Sequence, residues 1–166
     1  MASTTNKQER ELWRTFFVMR RQLELTLERR LQADAGISTA DFEILASLLE
    51  EPTTRLRAGQ IGDIIGWEKS RVSHQITRME QRGLVKREEY GDDARGVWVV
   101  LTAAGKTTAL AATGDHSAAV REYFFDVLSD DEKVALSAIS HRVLDIINPP
   151  LCTEMAATAA LANASV

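Results

Sequence analysis

The stretch Trp67–Glu88, WEKSRVSHQITRMEQRGLVKRE, decides how the rest of the chain is read. Val72, Ile76 and Met79 recur at i, i+4 and i+7, which sets them on one face of a helix. At about 100° per residue, the centre of the opposite face carries Ser70, His74, Thr77 and Gln81, with Arg71 and Arg78 along one flank. Gly83 ends the helix, and Leu84 and Val85 turn the chain back to the core. Between Lys69 and Arg87 six basic residues (Lys69, Arg71, Arg78, Arg82, Lys86, Arg87) stand against one acid, Glu80, a local charge of +5. The whole chain is −4, so everything outside the stretch sums to −9. Most charge runs are only solvated helix faces, so charge alone decides nothing; the order of the elements around this one does.

Upstream, Ala58–Ile65 is a short helix with Ile61, Ile64 and Ile65 inward, and Gly66 ends it. Two helices joined by a tight turn containing glycine, the second with a polar outer face, form a helix-turn-helix pattern. Before it, TTRLRAG is a short extended piece. GISTADFEILASLLE is a helix capped by Ser38, with Phe42, Leu45, Leu48 and Leu49 inward, ending near Glu51 before Pro52. The first segment, from Asn6 to Leu31, is a long helix in which Leu12, Phe16, Met19, Leu23, Leu27 and Leu31 recur at three and four residues. Trp13, Phe17, Val18 and Leu25 widen that stripe beyond one seam, so the helix is either a core helix or one shared with a second subunit.

Downstream, Leu84–Tyr90 and Val97–Thr102 are β-rich runs joined by GDDARG, a hairpin with a projecting loop. Thr102 caps another helix, which Gly114 is expected to kink or interrupt before helical continuation from Asp115 to Leu128. Ser129 with Glu132 is a capping box for a last helix, with Val134, Leu136, Ile139, Val143, Ile146 and Ile147 inward. Asn148-Pro149-Pro150 stops it. The Ala-rich tail, 151–166, is compatible with one more helix or with none.

The chemistry of the central helix suits DNA. Ser70, Ser73 and Thr77 are short enough to approach phosphates or base edges, and Arg71, His74 and Arg78 can reach base edges in the major groove. Lys86, Arg87 and Arg82 suit phosphates. In the loop, Arg95 suits a narrow minor groove, with Asp93 either bracing it or simply forming the turn.

Several other classes are poorly supported. No apolar run approaches the roughly 20 residues of a membrane span, and MASTTNKQERELW has no apolar signal core. Cys152 is the sole cysteine, which leaves no intrachain disulfide; together these favour the cytoplasm. No P-loop, dinucleotide fingerprint, GxSxG or HExxH motif points to an enzyme. Ser73–His74 and Ser140–His141 are adjacent on helices and point apart, so neither is a nucleophile–base pair. His74, His116 and His141 lack metal-ligand spacing. The rival that remains is a winged helix that binds protein and not DNA.

SRVSHQITRMEQRGLVKRE followed by DDARGVWVVLTAAG resembles the signature of the MarR family of bacterial transcription factors. Asp93-Ala94-Arg95 and Leu101-Thr102-Ala103-Ala104-Gly105 match the family's wing motif, and GISTADFEILASL its second helix. The resemblance implies a mainly α fold with a small β-hairpin wing. In it, 36–102 would be a winged helix-turn-helix, and 6–35 with 103–147 the intertwined dimerisation helices. It implies a ligand-responsive repressor, no cofactor, and a homodimer on a palindromic double-stranded operator. Ser70, Arg71, Ser73, His74, Thr77, Arg78 and Lys86 would contact DNA, with Arg95 in the minor groove and Asp93 its partner. It further implies a small aromatic or phenolic effector, for which Trp13, Phe17, Arg20, Phe42 and Trp67 are the candidate residues.

Overall fold

A computed structural model describes residues 4–89 and 97–150. The elements are α1 (Lys7–Ala35), α2 (Thr39–Glu50), β1 (Arg55–Arg57), α3 (Ala58–Ile65), α4 (Lys69–Gln81), β2 (Val85–Glu89), β3 (Val97–Leu101), α5 (Ala103–Val120), a π turn (Arg121–Phe125) and α6 (Asp130–Ile147). The chain divides into two compact units, Met1–Arg121 and Glu122–Val166.

In the first unit, α2, α3 and α4 close around Ile44, Leu45, Leu48, Ile61, Val72, Ile76 and Met79, each with at most 1% of its surface exposed. The expected Val72–Ile76–Met79 stripe of α4 is therefore the core stripe. Leu56, Val85, Val99 and Leu101 close the core from the sheet, and Ala109 and Ala112 of α5 let that helix approach closely. The expected hairpin gains a third strand, because β1 pairs antiparallel with β3 to give the order β1-β3-β2. Gly66, at φ +69°, takes the left-handed conformation that turns the chain from α3 into α4.

The start of α5 is pinned to the end of α4. The Thr102 hydroxyl donates to the Gly83 carbonyl at 2.7 Å and accepts from the Gly105 N–H at 2.9 Å. This brings Gly105 so close to β2 that a Cβ there would lie 1.8 Å from the Leu84 carbonyl oxygen. Gly114, expected to break the helix, lies inside α5 without interrupting it. A helix tolerates one exposed glycine at modest cost, and the change to a wider turn comes at Arg121–Phe125 instead.

The junction of α1 and α2 is tied to α4 through one carboxylate. Asp41, 1% exposed, is the third residue of α2 and forms a reciprocal capping box with Ser38. Its Oδ2 accepts from the Ser38 N–H at 3.0 Å and from the Arg82 guanidinium at 2.7 Å, and its Oδ1 accepts from the Gln75 amide at 2.7 Å. Arg82 also donates to the Gly36 carbonyl, where α1 ends, at 2.8 Å. Burial pushes the Asp41 pKa up, but the hydrogen bonds from Ser38, Arg82 and Gln75 outweigh it and hold it below its ordinary value.

Two apolar surfaces stay uncovered among the described residues. On α1, Leu12, Trp13, Phe17 and Val18, in the stripe expected either in a core helix or in one shared with a second subunit, are at least half exposed. On α6, whose apolar positions were expected inward, Val134, Ile146 and Ile147 are at least 70% exposed and no residue is buried.

Two outcomes follow from this packing. Gly105→Ala should cost about 3 kcal/mol or more, because no rotamer relieves a clash with backbone. Gly114→Ala, with open space around its Cβ, should gain about 0.5–1 kcal/mol. Urea midpoints of the two variants read both. Separately, a carboxylate whose pKa is depressed by folding stabilises the fold above its unfolded value, near 3.8, and loses that contribution as pH falls through the folded value. Asp41→Asn should lose about 1–3 kcal/mol at neutral pH, where its amide cannot serve both Arg82 and Gln75, and should show a shallower loss of stability below about pH 4 in acid titrations followed by circular dichroism.

Candidate nucleic-acid interface

Helix α4 buries Val72, Gln75, Ile76 and Met79, which fixes what it shows to solvent. Lys69, Ser70, Arg71, His74, Thr77 and Arg78 are exposed, and Ser73 is half-buried at the edge facing β2. The predicted reading face is therefore assembled on one helix, apart from the recessed Ser73. The Thr77 hydroxyl donates to the Ser73 carbonyl at 3.0 Å and accepts from Arg87 at 3.0 Å, so it presents chiefly its methyl, a group suited to the thymine methyl. The Arg71 guanidinium stacks over Trp67, 3.5 Å from the ring centroid, and Arg78 donates to the Gln75 side-chain carbonyl. Both arginines are held near the helix surface and not left to sweep through solvent.

The other basic residues of the stretch are engaged within the protein. Arg82 is bound to Asp41 and Gly36, and Arg87 to Glu80. Lys86 pairs with Glu88 at 2.5 Å. Alternation along β2 and its register with β3 put Lys86 with Trp98 and Val100 on the outer side of the sheet, opposite the face where Leu56 and Val99 meet the core. The positive charge on the outward face thus narrows to Lys69, Arg71 and Arg78. Asp93 and Arg95 lie outside the described residues.

Sequence reasoning missed two features. Arg55 and Arg57 lie over the Trp98 ring at 5.3 and 5.1 Å, placing two more cations on the outer sheet face. Their alternation about buried Leu56 was the available signal. Gln75 was the second, a polar residue within the apolar stripe of α4.

Behind α4 lies a cavity of about 380 Å³, with walls from α1 (Arg21, Leu27), α2 (Glu43), α4 (Arg71) and α5 (His116), and from Trp67. Phe42 packs on His116 at 4.7 Å between ring centroids. Glu43 Oε2 and His116 Nδ1 are buried without a hydrogen-bond partner among the described residues. Burial raises the Glu43 pKa against the opposing pull of Arg71, and burial lowers that of His116, each shift being toward the neutral form. Of the five effector candidates, Trp67 lines this cavity and Phe42 supports its wall. Trp13, Phe17 and Arg20 are not in its lining; they lie on the exposed part of α1, where Arg20 sits over the Phe17 ring at 5.8 Å. Among the described residues no group of acidic, histidine or cysteine side chains is placed to hold a metal ion, and no helix is long and apolar enough to cross a membrane.

The sequence model of the MarR family matches residues 35–96, from the α1–α2 junction through the wing. Among curated proteins no sequence reaches a significant match. The chain is similar to AbsC, a MarR family transcriptional regulator from Streptomyces coelicolor, at 35% identity and a TM-score of 0.79, over 90% of this chain and 98% of AbsC. It is similar to Sco3205, a MarR family regulator from the same organism solved in complex with DNA, at 31% identity and a TM-score of 0.82, over 90% and 94% of the two chains. The organohalide-sensing regulator RdhR-CbdbA1625, solved with 2,4-dichlorophenol bound, shares the fold at 22% identity and a TM-score of 0.73, over 91% and 90%. With a polar, cationic helix presented beside a winged sheet, and with relatives this similar along nearly their whole length, the chain belongs to the MarR family of DNA-binding transcriptional regulators.

Proposed function

We propose that the protein is a homodimeric repressor that binds a palindromic operator and is released by a small aromatic or phenolic effector. The observation that carries the DNA half of this reading is the outward face of α4, where Arg71 and Arg78 flank short polar side chains with no acid at its centre. In the major groove the two guanidiniums suit guanine O6 and N7, Thr77 a thymine methyl, and Ser70, Ser73 and His74 phosphates or base edges. Lys86, from the outer side of the sheet, suits a phosphate beside the wing, and Arg95 with Asp93 the minor groove.

Dimerisation is supported by the apolar surfaces that the chain leaves open. Leu12, Trp13, Phe17 and Val18 on α1, and Val134, Ile146 and Ile147 on α6, are large apolar side chains each at least half exposed, and clusters of that kind mark interaction surfaces. A two-fold dimer would set two recognition helices about 34–36 Å apart, one turn of duplex, and so require an inverted repeat.

Effector response is supported by the cavity behind α4. Arg71 belongs both to the reading face and to the cavity wall, so an occupant there bears directly on the recognition helix. Trp67 offers an aromatic surface, and Arg21 a cation for a phenolate or carboxylate. The dichlorophenol seen in RdhR-CbdbA1625 has the size and chemistry such a cavity would take.

Fluorescence anisotropy on tiled duplexes from the gene's own neighbourhood, at two salt concentrations, tests the reading. The expected result is selective binding of two chains to an inverted repeat, with log K falling steeply as log salt rises. Arg71→Ala and Arg78→Ala should each cost about 1–3 kcal/mol, roughly fivefold to 150-fold in Kd. Binding that ignores both substitutions would favour a protein-binding winged helix.

A further inference from the structure

Gln75 is the polar member of the buried stripe of α4, 5% exposed among Val72, Ile76 and Met79. A buried amide must satisfy both its ends, and here the two ends have chemically distinct partners. On one side the Asp41 carboxylate, kept ionised by its lowered pKa, can only accept. The Gln75 end facing it must therefore be the NH₂, which donates to Asp41 Oδ1 at 2.7 Å. The carbonyl is then forced to face the other way, where it accepts from an Nη2 hydrogen of Arg78. Flipping the amide would set oxygen against carboxylate and NH₂ against guanidinium, losing both bonds at once. The polarity of Gln75 is thus dictated from inside the protein.

We propose that Gln75, oriented by Asp41, is a positioning residue for DNA recognition: it presets the guanidinium of Arg78 and so sets base preference where Arg78 reads. The inference rests on the reading that Arg78 contacts a base edge. An arginine already held through one N–H has fewer rotamers to lose on binding, and its remaining donors keep the fork geometry that matches guanine. The carboxylate that orients Gln75 is itself fixed by Ser38 and Arg82, so a chain of direct hydrogen bonds runs from the α1–α2 junction to Arg78 on the outward face of α4.

The test is a double-mutant cycle in the full-length protein, using Gln75→Met, Arg78→Ala and the double variant. The probes are the duplex selected by anisotropy, its single base-pair variants and a scrambled duplex. Gln75→Met should weaken the selected duplex about tenfold and flatten discrimination at one base pair per half-site. It should leave the scrambled duplex and the salt slope unchanged, and add less than about twofold once Arg78 is alanine. Gln75→Asn keeps a polar amide in the stripe but withdraws it by one methylene from both Asp41 and Arg78. It should reproduce the lost discrimination, and it carries the test if Gln75→Met does not fold. Equal weakening of selected and scrambled duplexes, or an undiminished Gln75 effect in the Arg78→Ala background, would make Gln75 a packing residue and overturn the proposal. If Arg78→Ala alone leaves selectivity intact, the reading of Arg78 fails first and the proposal with it, a result distinguishable because Gln75 is then wild type.

Discussion

The buried Asp41 carboxylate is the constraint on which the packing of α2 and α4 turns. Its oxygens accept from the Ser38 cap of α2, from Arg82 after α4 and from Gln75 within α4. An ionised acid in an apolar core is costly unless it is paired and hydrogen-bonded, and here both oxygens are met, by groups from the α1–α2 junction and from α4 with its C-cap. The start of α2, the end of α1 through Gly36 and the register of α4 are consequently fixed together. Apolar packing alone would fill the same space, but it would not dictate which way the amide of Gln75 points.

The same network explains how an acidic chain shows a cationic helix. Of the six cations between Lys69 and Arg87, three have acidic partners among the described residues: Arg82 with Asp41, Lys86 with Glu88 and Arg87 with Glu80. Those on the outward face of α4 remain for a polyanion. On α4 the cations are thus limited to its outward face, and the acidic remainder of the chain opposes indiscriminate binding to polyanions. Arg71 adds a second property, because its guanidinium, stacked on Trp67, stands at once on the outward face of α4 and in the wall of the 380 Å³ cavity.

Much of this was legible in the sequence, and the boundary of legibility has physical reasons. The stripe Val72–Ile76–Met79, the Ser38 and Ser129 caps and the stop at Gly66 depend on residues within a few positions of each other, and each is found where expected. TTRLRAG was readable as extended but not as part of the sheet, because a strand of three residues is defined by its partner, Trp98–Val100, some forty positions away. The fate of Arg82 was hidden for the same reason, its carboxylate lying 41 residues upstream. The apolar positions of α1 and α6 were correctly seen as periodic, yet periodicity does not say whether the covering surface belongs to the same chain.

The central claim is that the exposed face of α4 is the surface in contact with DNA. A photo-crosslinking side chain placed at Thr77, on the middle of that face, addresses it directly, with the same group at exposed Glu50 at the end of α2 as the comparison. Irradiation of the saturated protein–duplex complex should link DNA to position 77 and not to position 50. Efficient crosslinking from 50 with none from 77, while binding persists, would contradict the account.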